Sequence, residues 1–325
     1  MQTRQLGKTD LLITPIGFGA WAIGGEWRFG WGPQDDVESL GAIRQAVSKG
    51  INWVDTAPAY GLGHSEDVVA RALADIPGSE RPYVFTKCSL VWDDSRVVRH
   101  DLSADSIRRE VEGSLKRLNV ETIDLYQVHW PRWQAQADPA PGSVGEAWQT
   151  LAALQAQGKL RHLGVSNFTV EDLETAQRIA PVASLQPPYS MLRRATEADL
   201  LPYCEDHGIG VIVYSPMQSG LLTGAMTRER VGQLAESDWR RNNREFQEPR
   251  LSANLAVVDV LRTIGERHGR RPSEVAIAWV LRHPAVTGAI VGARSARQVD
   301  GVVGAADFRL SADELDQIER ALPRD

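Results

Sequence analysis

Strand-like and helix-like segments alternate along almost the whole chain, and this alternation is the strongest constraint on the fold. Eight short apolar segments are each followed by a helical pattern, from residues 15–19 at the start to residues 287–290 near the end. Such alternation is typical of a parallel sheet covered by helices. Eight strand–helix units in a chain longer than roughly 250 residues predict a (β/α)8 barrel.

A doubly wound open sheet is the alternative. Eight units are many for an open sheet, and no Gly-x-Gly-x-x-Gly motif follows the first strand, where open dinucleotide-binding sheets carry it. We therefore favour an α/β fold of the (β/α)8 TIM barrel type, preceded by a small β-hairpin in residues 4–13. No linker or low-complexity run interrupts the pattern, so residues 1–325 are predicted to form a single domain.

Four long segments without a clear helical or strand pattern follow predicted strands, at residues 24–36, 88–101, 131–142 and 218–249. In a (β/α)8 barrel the loops that follow the strands form the active-site face. Long loops in a compact domain are usually functional or mobile. The sequence therefore predicts a site at the C-terminal face of the barrel.

Composition argues against several classes of function. The chain has 36 Lys+Arg against 42 Asp+Glu and a pI near 5.7, whereas nucleic-acid-binding domains typically have a pI above about 9. No run of about 18 apolar residues is present, so no membrane span is predicted. Cys88 and Cys204 cannot build a disulfide framework and the first ten residues are polar, so we expect a cytoplasmic protein. The seven histidines show no metal-ligand spacing, and no metal is predicted.

Polar residues stand at the ends of three successive predicted strands. Asp55 ends the second strand, Lys87 the third and His129 the fourth, and Tyr60 follows Asp55 in a short loop. Each of these residue types is more often structural or solvated when it stands alone. Because neighbouring strands are about 4.8 Å apart, the four side chains are expected to meet at one rim of the barrel.

These four side chains together indicate proton transfer. An unperturbed tyrosine has a pKa of about 10, and a neighbouring cation lowers it. We expect Lys87 to supply that charge and Asp55 to hold Lys87, which makes Tyr60 a general acid for a carbonyl oxygen. No side chain can supply the accompanying hydride, so a nicotinamide cofactor is implied. An aldolase with Lys87 as a Schiff base is an alternative, but Asp55 opposes the lowered lysine pKa that it needs.

Four segments in order carry a family resemblance: Asn52 to Ala57 with Tyr60, Leu118 to Trp130, Gly158 to Phe168, and Tyr214 to Leu222. They resemble signatures of the aldo-keto reductase superfamily, and the resemblance extends over nearly the whole chain. It is closest to bacterial reductases of the inositol-utilisation type and to potassium-channel β subunits. It implies a (β/α)8 fold, an NADP(H) or less often NAD(H) cofactor, and the reduction of aldehydes and ketones.

The resemblance also implies individual roles. Tyr60 would be the proton donor, Lys87 its pKa-lowering neighbour, Asp55 the partner of Lys87, and His129 the residue that orients the carbonyl. The residues implied in cofactor binding are Gly19, Ala20, Trp21, Asp55, Ser166, Asn167, Gln186, Tyr214, Ser215, Met217, Ser219, Gly292, Arg294 and Gln298. Within this set, Ser166, Asn167 and Gln186 would bind the nicotinamide carboxamide, and Tyr214 would stack on the ring. Four tryptophans in the loops are expected to form an aromatic substrate pocket: Trp21, Trp27, Trp92 and Trp130.

The turn at residues 292–298 departs from the best-known reductases, which carry Lys-Ser and a later Arg there. Gly292, Ala293 and Gln298 stand at these positions, but Arg294 offers bidentate donors for a 2′-phosphate, which favours NADP(H) over NAD(H). The segment 218–249 carries five arginines and is a candidate lid over the cofactor. Two further functions stay open: oxidation of a sugar or polyol, and a cofactor-binding regulatory subunit.

Overall fold

The computed structural model describes residues 1–25, 27, 30–133, 140–236 and 238–323. The strands are β1 (Arg4–Gln5), β2 (Leu12–Ile13), β3 (Ile16–Gly19), β4 (Trp53–Asp55), β5 (Tyr83–Cys88), β6 (Leu90–Trp92), β7 (Val98–His100), β8 (Ile123–Val128), β9 (Leu160–Ser166), β10 (Ser184–Gln186), β11 (Gly210–Val213) and β12 (Val286–Gly292). The helices are α1 (Asp36–Ser48), α2 (His64–Leu73), α3 (Ala104–Leu118), α4 (Val144–Ala156), α5 (Val170–Gln177), α6 (Leu200–His207), α7 (Arg228–Gly232), α8 (Arg250–Arg267), α9 (Pro272–Leu281), α10 (Ala296–Asp300) and α11 (Ala312–Ala321).

Eight parallel strands close into a barrel in the order β3–β4–β5–β8–β9–β10–β11–β12, and β12 pairs with β3. The (β/α)8 fold is therefore confirmed. β1 and β2 form the separate antiparallel hairpin expected near the N-terminus, with Arg4 opposite Ile13. In the barrel register Gly292 lies opposite Gly19, and Gly19 lies opposite Asp55. The last residues of these strands therefore share one rim.

Local sequence accounts for the helices that frame this rim. The Ser103 side chain accepts a hydrogen bond from the Ser106 backbone and begins α3, whose buried face includes Ile107 and Val111. The helix ends at Asn119, which adopts a left-handed conformation with φ 53°. Side chains of Asp35, Ser143, Thr169 and Ser311 cap the N-termini of α1, α4, α5 and α11 in the same way.

Apolar side chains fill the base of the barrel interior. Trp53, Phe85, Leu125 and Ile212 form a buried cluster there, together with leucines of the N-terminal hairpin. Gly17 on β3 lies against Trp53, and a Cβ atom at Gly17 would come within 2.2 Å of the indole ring. Glycine is therefore required at this position for the ring to fit.

Two local expectations are wrong. Residues 88–101 are not an irregular loop, because β6 and β7 pair across them as an antiparallel hairpin. The segment 218–249 contains α7 and short 3-10 helices, including Gln218–Thr223 and Trp239–Asn242.

None of the helices that the structure describes is both long and apolar enough to cross a membrane. The described residues also contain no group of three or more His, Cys, Asp or Glu side chains placed to hold a metal ion. Cys88 and Cys204 are buried free thiols.

Candidate active site

The four polar residues at successive strand ends meet at the rim of the barrel. Asp55 is the last residue of β4, Lys87 lies near the end of β5, and His129 directly follows β8. Asp55 and Lys87 are almost completely buried, and Tyr60 and His129 are each only 9% exposed. The structure therefore brings the predicted tetrad together in a nearly dry space.

Lys87 and Asp55 form a buried ion pair. The Lys87 ammonium donates to Asp55 Oδ1 at 2.5 Å and to the Thr56 carbonyl at 2.9 Å. Burial lowers the pKa of Lys87, and the charge of Asp55 opposes this shift. The pair fixes the ammonium in place, because two of its three donors have partners.

Tyr60 lies beside this pair. The Lys87 ammonium is 5.1 Å from the centroid of the Tyr60 ring. Burial and the charge of Asp55 raise the pKa of Tyr60 well above 10. The expected lowering of this pKa by Lys87 is therefore not seen, because burial and the charge of Asp55 act in the opposite direction. The phenol is consequently protonated at neutral pH.

His129 packs edge-on against Tyr60, with ring centroids 5.7 Å apart and an interplanar angle of 77°. Burial lowers the pKa of His129 well below 6.5, and the charge of Lys87 adds to this shift. The imidazole is therefore neutral at neutral pH. A neutral imidazole has one N–H donor and one acceptor, so it can donate a hydrogen bond to a carbonyl oxygen.

Asp55 is also held by two amides inside the barrel. Gln127 and Gln186 donate to Asp55 Oδ2 at 3.1 and 2.9 Å, and Gln186 donates to Gln127 at 3.0 Å. Sequence reasoning placed Gln186 at a cofactor amide and missed Gln127. The available signal was strand alternation, because Gln127 precedes His129 by two residues and shares its side of the strand.

A second hydrogen-bond network lies along the same rim. The Tyr214 hydroxyl donates to Asn167 Oδ1 at 2.9 Å, and Asn167 Nδ2 donates to the Ser166 hydroxyl and to the His129 carbonyl, each at 3.0 Å. The Ser166 hydroxyl donates to the Gln186 carbonyl. Asn167 adopts a positive φ of 61°, a strained conformation that is common at functional sites. The structure therefore joins the three predicted carboxamide-binding residues to Tyr214 and to the tetrad.

The turn after β11 has an unusual backbone. Ser215, Gln218 and Ser219 all have positive φ, at 58°, 48° and 54°. A right-handed residue followed by a left-handed one, as Met217 with φ −99° is followed by Gln218, directs successive N–H groups into a concavity that binds anions. Of the predicted contacts here, Ser215 and Ser219 lie in this strained turn, and Met217 lies between them. The local geometry fits the phosphate groups of a dinucleotide.

The turn after β12 is held by the loop that follows β3. The Arg294 guanidinium donates to Gln34 Oε1 at 2.5 Å and to the Pro33 carbonyl at 2.6 Å. The Arg294 backbone donates to Gln298 Oε1 at 2.8 Å. Burial and the charge of Arg240 lower the pKa of Arg294. Among the described residues Arg294 has no carboxylate partner, so its charge is uncompensated.

Residues of the segment 218–249 contact the loop that follows β3. Arg240 lies 4.7 Å from the centroid of the Trp31 ring, pairs with Asp238 at 2.5 Å and donates to the Ser219 carbonyl at 3.4 Å. Trp239 lies 6.4 Å from Trp21. These contacts form a strap, residues 238–242, that joins the loop after β3 to the turn after β11.

The predicted pocket tryptophans occupy different positions. Trp27 lies 5.9 Å from Tyr60, and Trp21 packs edge-on against Trp31 at 5.3 Å. Trp130 directly follows His129. Trp92 lies on β6, where its ring comes near Gly63 at the start of α2. Trp27 and Trp130 are thus adjacent to the tetrad, whereas Trp92 lies beside the loop that carries Tyr60.

A model of the aldo/keto reductase family matches residues 15–323. The chain belongs to the aldo-keto reductase family. The predicted resemblance is confirmed, and the protein is an oxidoreductase of the class that acts on carbonyls and alcohols.

Two relatives and one solved structure match almost all of the chain. Aldo-keto reductase YhdN of Bacillus subtilis is 36% identical over 99% of this chain and 94% of the relative. An NADH-specific methylglyoxal reductase of Escherichia coli is 34% identical over 96% and 95% of the two chains. The structure of the glycerol dehydrogenase AKR11B4 from Gluconobacter oxydans aligns with a TM-score of 0.86 at 38% identity, over 98% of this chain and 94% of that chain.

Proposed function

We propose that the protein is an NADP(H)-dependent reductase of aldehydes or ketones in which Tyr60 is the proton donor. The observation that carries this proposal is the position of the Tyr60 phenol, which lies beside the Lys87–Asp55 pair and His129. Among the described residues, the Tyr60 hydroxyl has no hydrogen-bond partner, so it is available to a substrate oxygen.

The tetrad residues have complementary roles in this reaction. When bound, a nicotinamide supplies the hydride that no side chain can provide. Tyr60 gives its proton to the carbonyl oxygen, and the Lys87 ammonium stabilises the resulting phenolate. Asp55 keeps Lys87 in place, and His129 donates a hydrogen bond that orients the carbonyl. Oxidation of an alcohol runs through the same atoms in reverse.

The rim supports a cofactor in an extended arrangement. Ser166, Asn167 and Gln186 are proposed to face the nicotinamide carboxamide, and Tyr214 its ring. The strained turn at Ser215 to Ser219 suits the pyrophosphate. The remaining proposed contacts lie at the ends of β3, β4 and β12: Gly19, Ala20, Trp21, Asp55, Gly292, Arg294 and Gln298.

The uncompensated charge of Arg294 supports a preference for NADP(H), because a guanidinium binds a phosphate bidentately. The relative described as NADH-specific favours the alternative. Arg294→Met is expected to weaken NADPH binding about tenfold, since a charge-assisted hydrogen bond contributes about 1.5–3 kcal/mol. NADH binding should change little. Equal losses for both cofactors, measured by tryptophan fluorescence titration, would remove the 2′-phosphate role.

The direction of the reaction is tested separately. Aromatic side chains around the tetrad suit a small carbonyl substrate, and one relative is described as a methylglyoxal reductase. Another is described as a glycerol dehydrogenase, which favours oxidation as the second candidate. The absorbance of reduced nicotinamide is followed with methylglyoxal or an aromatic aldehyde, and in the other direction with glycerol. Faster reduction supports the proposal, and faster oxidation favours the polyol dehydrogenase. Cofactor binding without turnover in either direction favours a regulatory subunit.

A further inference from the structure

A cavity of about 440 Å³ opens at the end of the barrel opposite the tetrad. Its wall includes Val286 and Thr287, the first residues of β12, whereas the tetrad lies at the far ends of the parallel strands. The N-terminal hairpin, the turn after α9 and the segment before α11 complete the wall. We call this feature the basal cavity. It is separate from the reductase site.

Two arginines of the basal cavity have no counterion. Arg4 is partly buried and donates to the Val286 carbonyl at 2.9 Å. Arg309 donates to the Ala306 and Phe308 carbonyls at 2.9 and 2.8 Å. In the described part of the chain neither guanidinium has an acidic side chain within 4.0 Å. Because a guanidinium has five N–H donors, each arginine keeps donors that no described residue uses.

The two charges also act on each other. Burial and the charge of Arg309 lower the pKa of Arg4. Arginine nevertheless stays protonated in proteins, so proton loss cannot relieve the repulsion. Arg4 is partly buried and Arg309 is exposed, and an anion bound between them would offset the repulsion of the two charges. This local positive excess contrasts with the net charge of −6 for the whole chain.

The other polar residues of the wall are compatible with an anion. His283 Nδ1 accepts a hydrogen bond from the Ala285 backbone at 3.3 Å, so the neutral ring carries its proton on Nε2 as a donor. Arg282 also lines the cavity, but Glu197 lies 3.8 Å away and balances its charge. No acidic side chain is among the described residues that line the cavity.

We propose that the basal cavity binds a small oxyanion, a phosphate or a carboxylate, between Arg4 and Arg309. Guanidinium groups bind both anions through paired N–H donors. A bound anion connects the N-terminal hairpin to the segment before α11 and so stabilises the base of the barrel. The base of a (β/α)8 barrel contributes to stability rather than to catalysis, so turnover should not depend on this site.

Thermal unfolding of the full chain tests the proposal. Phosphate, and in a second series acetate, is titrated at constant ionic strength with chloride as the balancing anion. A saturable rise in Tm of about 2 °C or more is expected with at least one of them, and the comparison identifies the preferred chemistry. Arg309→Met should abolish the rise.

Two control variants separate this site from other effects. Arg294→Met tests whether phosphate acts at the cofactor face, and it should keep the rise. Arg44→Met removes one exposed charge paired with Asp75 and should also keep it. The proposal is overturned if neither anion gives a saturable rise in Tm over the chloride-matched control. It is also overturned if the rise in Tm is as large in Arg309→Met as in the wild type.

A second variant does not depend on removing an arginine. Gln5 is exposed in the cavity wall beside Arg4, and Gln5→Glu would place a carboxylate there. Because Gln5→Glu also loses the bond from the Gln5 amide to the Thr9 carbonyl, Gln5→Met is its reference. Gln5→Glu should unfold at a higher temperature than Gln5→Met in chloride alone and should respond less to phosphate. A full phosphate response in Gln5→Glu would contradict a site between the two arginines.

Discussion

Asp55 acts on two other members of the tetrad. It holds the Lys87 ammonium, and its charge contributes to the raised pKa of Tyr60. Gln127 and Gln186 each donate to it as well. The phenol therefore keeps its proton at neutral pH until a substrate oxygen accepts it. The sequence predicted which residues meet, but the sign of the Tyr60 pKa shift depends on burial, which no single position reveals.

Glu110 is a buried carboxyl outside the tetrad. Its oxygens accept hydrogen bonds from the Ser89 backbone at 2.9 Å and from the Ser106 hydroxyl at 3.1 Å. Ser89 follows Lys87 by two residues and has a strained φ of 82°. Burial raises the pKa of Glu110 to about 8, the charge of Asp101 adds to the shift, and that of Arg109 opposes it.

This shift makes stability depend on pH. Because the folded state binds the Glu110 proton more tightly than the unfolded state, stability falls as pH rises from near 4.5 to about 8. The slope from this group is at most about 1.4 kcal/mol per pH unit. Glu110→Gln should flatten the dependence in urea unfolding, whereas Glu112→Gln on the same helix, with a largely exposed side chain, should not. Equal slopes in wild type and Glu110→Gln would show that Glu110 does not titrate in this range.

At the scale of elements, the strap at residues 238–242 closes one side of the rim. Its Arg240 contacts Trp31 and Ser219, which belong to the loop after β3 and the turn after β11. The sequence indicated a candidate lid from its length and its arginines. Which arginine makes the contact could not be predicted, because it depends on the short 3-10 helix Trp239–Asn242.

Arg240→Met should loosen the strap. The substitution removes the contact of the guanidinium with the Trp31 ring and the hydrogen bond to the Ser219 carbonyl. If these contacts contribute about 1–2 kcal/mol to cofactor retention, a bound cofactor should dissociate roughly 5–30-fold faster. Stopped-flow fluorescence with preloaded NADPH measures this rate. Arg241→Met, on the same 3-10 helix but exposed, is the matched control. Unchanged dissociation in Arg240→Met would mean that the strap does not retain the cofactor.

At the scale of the whole molecule, the alternation of segments was enough to predict the closed barrel. Eight apolar segments at regular intervals leave few other arrangements, and strand ends then place Asp55, Lys87 and His129 on one rim. The hairpin of β6 and β7 was missed because its strands are three residues each. The contact of Gln127 with Asp55 was also missed, since it joins strands that are not neighbours and depends on how the barrel interior packs.

The barrel interior tolerates little added volume near its base. Gly17→Ala is expected to destabilise the protein by about 1–3 kcal/mol, because the new methyl group would clash with the buried Trp53 ring. Gly41→Ala in α1, where a Cβ meets nothing within 4 Å, should instead stabilise it by about 0.5–1 kcal/mol. Urea unfolding of both variants checks the contrast. A Gly17→Ala variant as stable as the wild type would mean that Trp53 moves without cost.

The most direct test of the proposed reductase compares wild type with Tyr60→Phe, by turnover of a carbonyl substrate and by the Kd for NADPH. Removing only the phenol oxygen should lower kcat by about 10²–10⁴-fold, since a positioned general acid contributes on that order. The Kd for NADPH should stay within about twofold, because the ring remains in place. Turnover near the wild-type rate with an unchanged Kd would contradict the role of Tyr60 as proton donor.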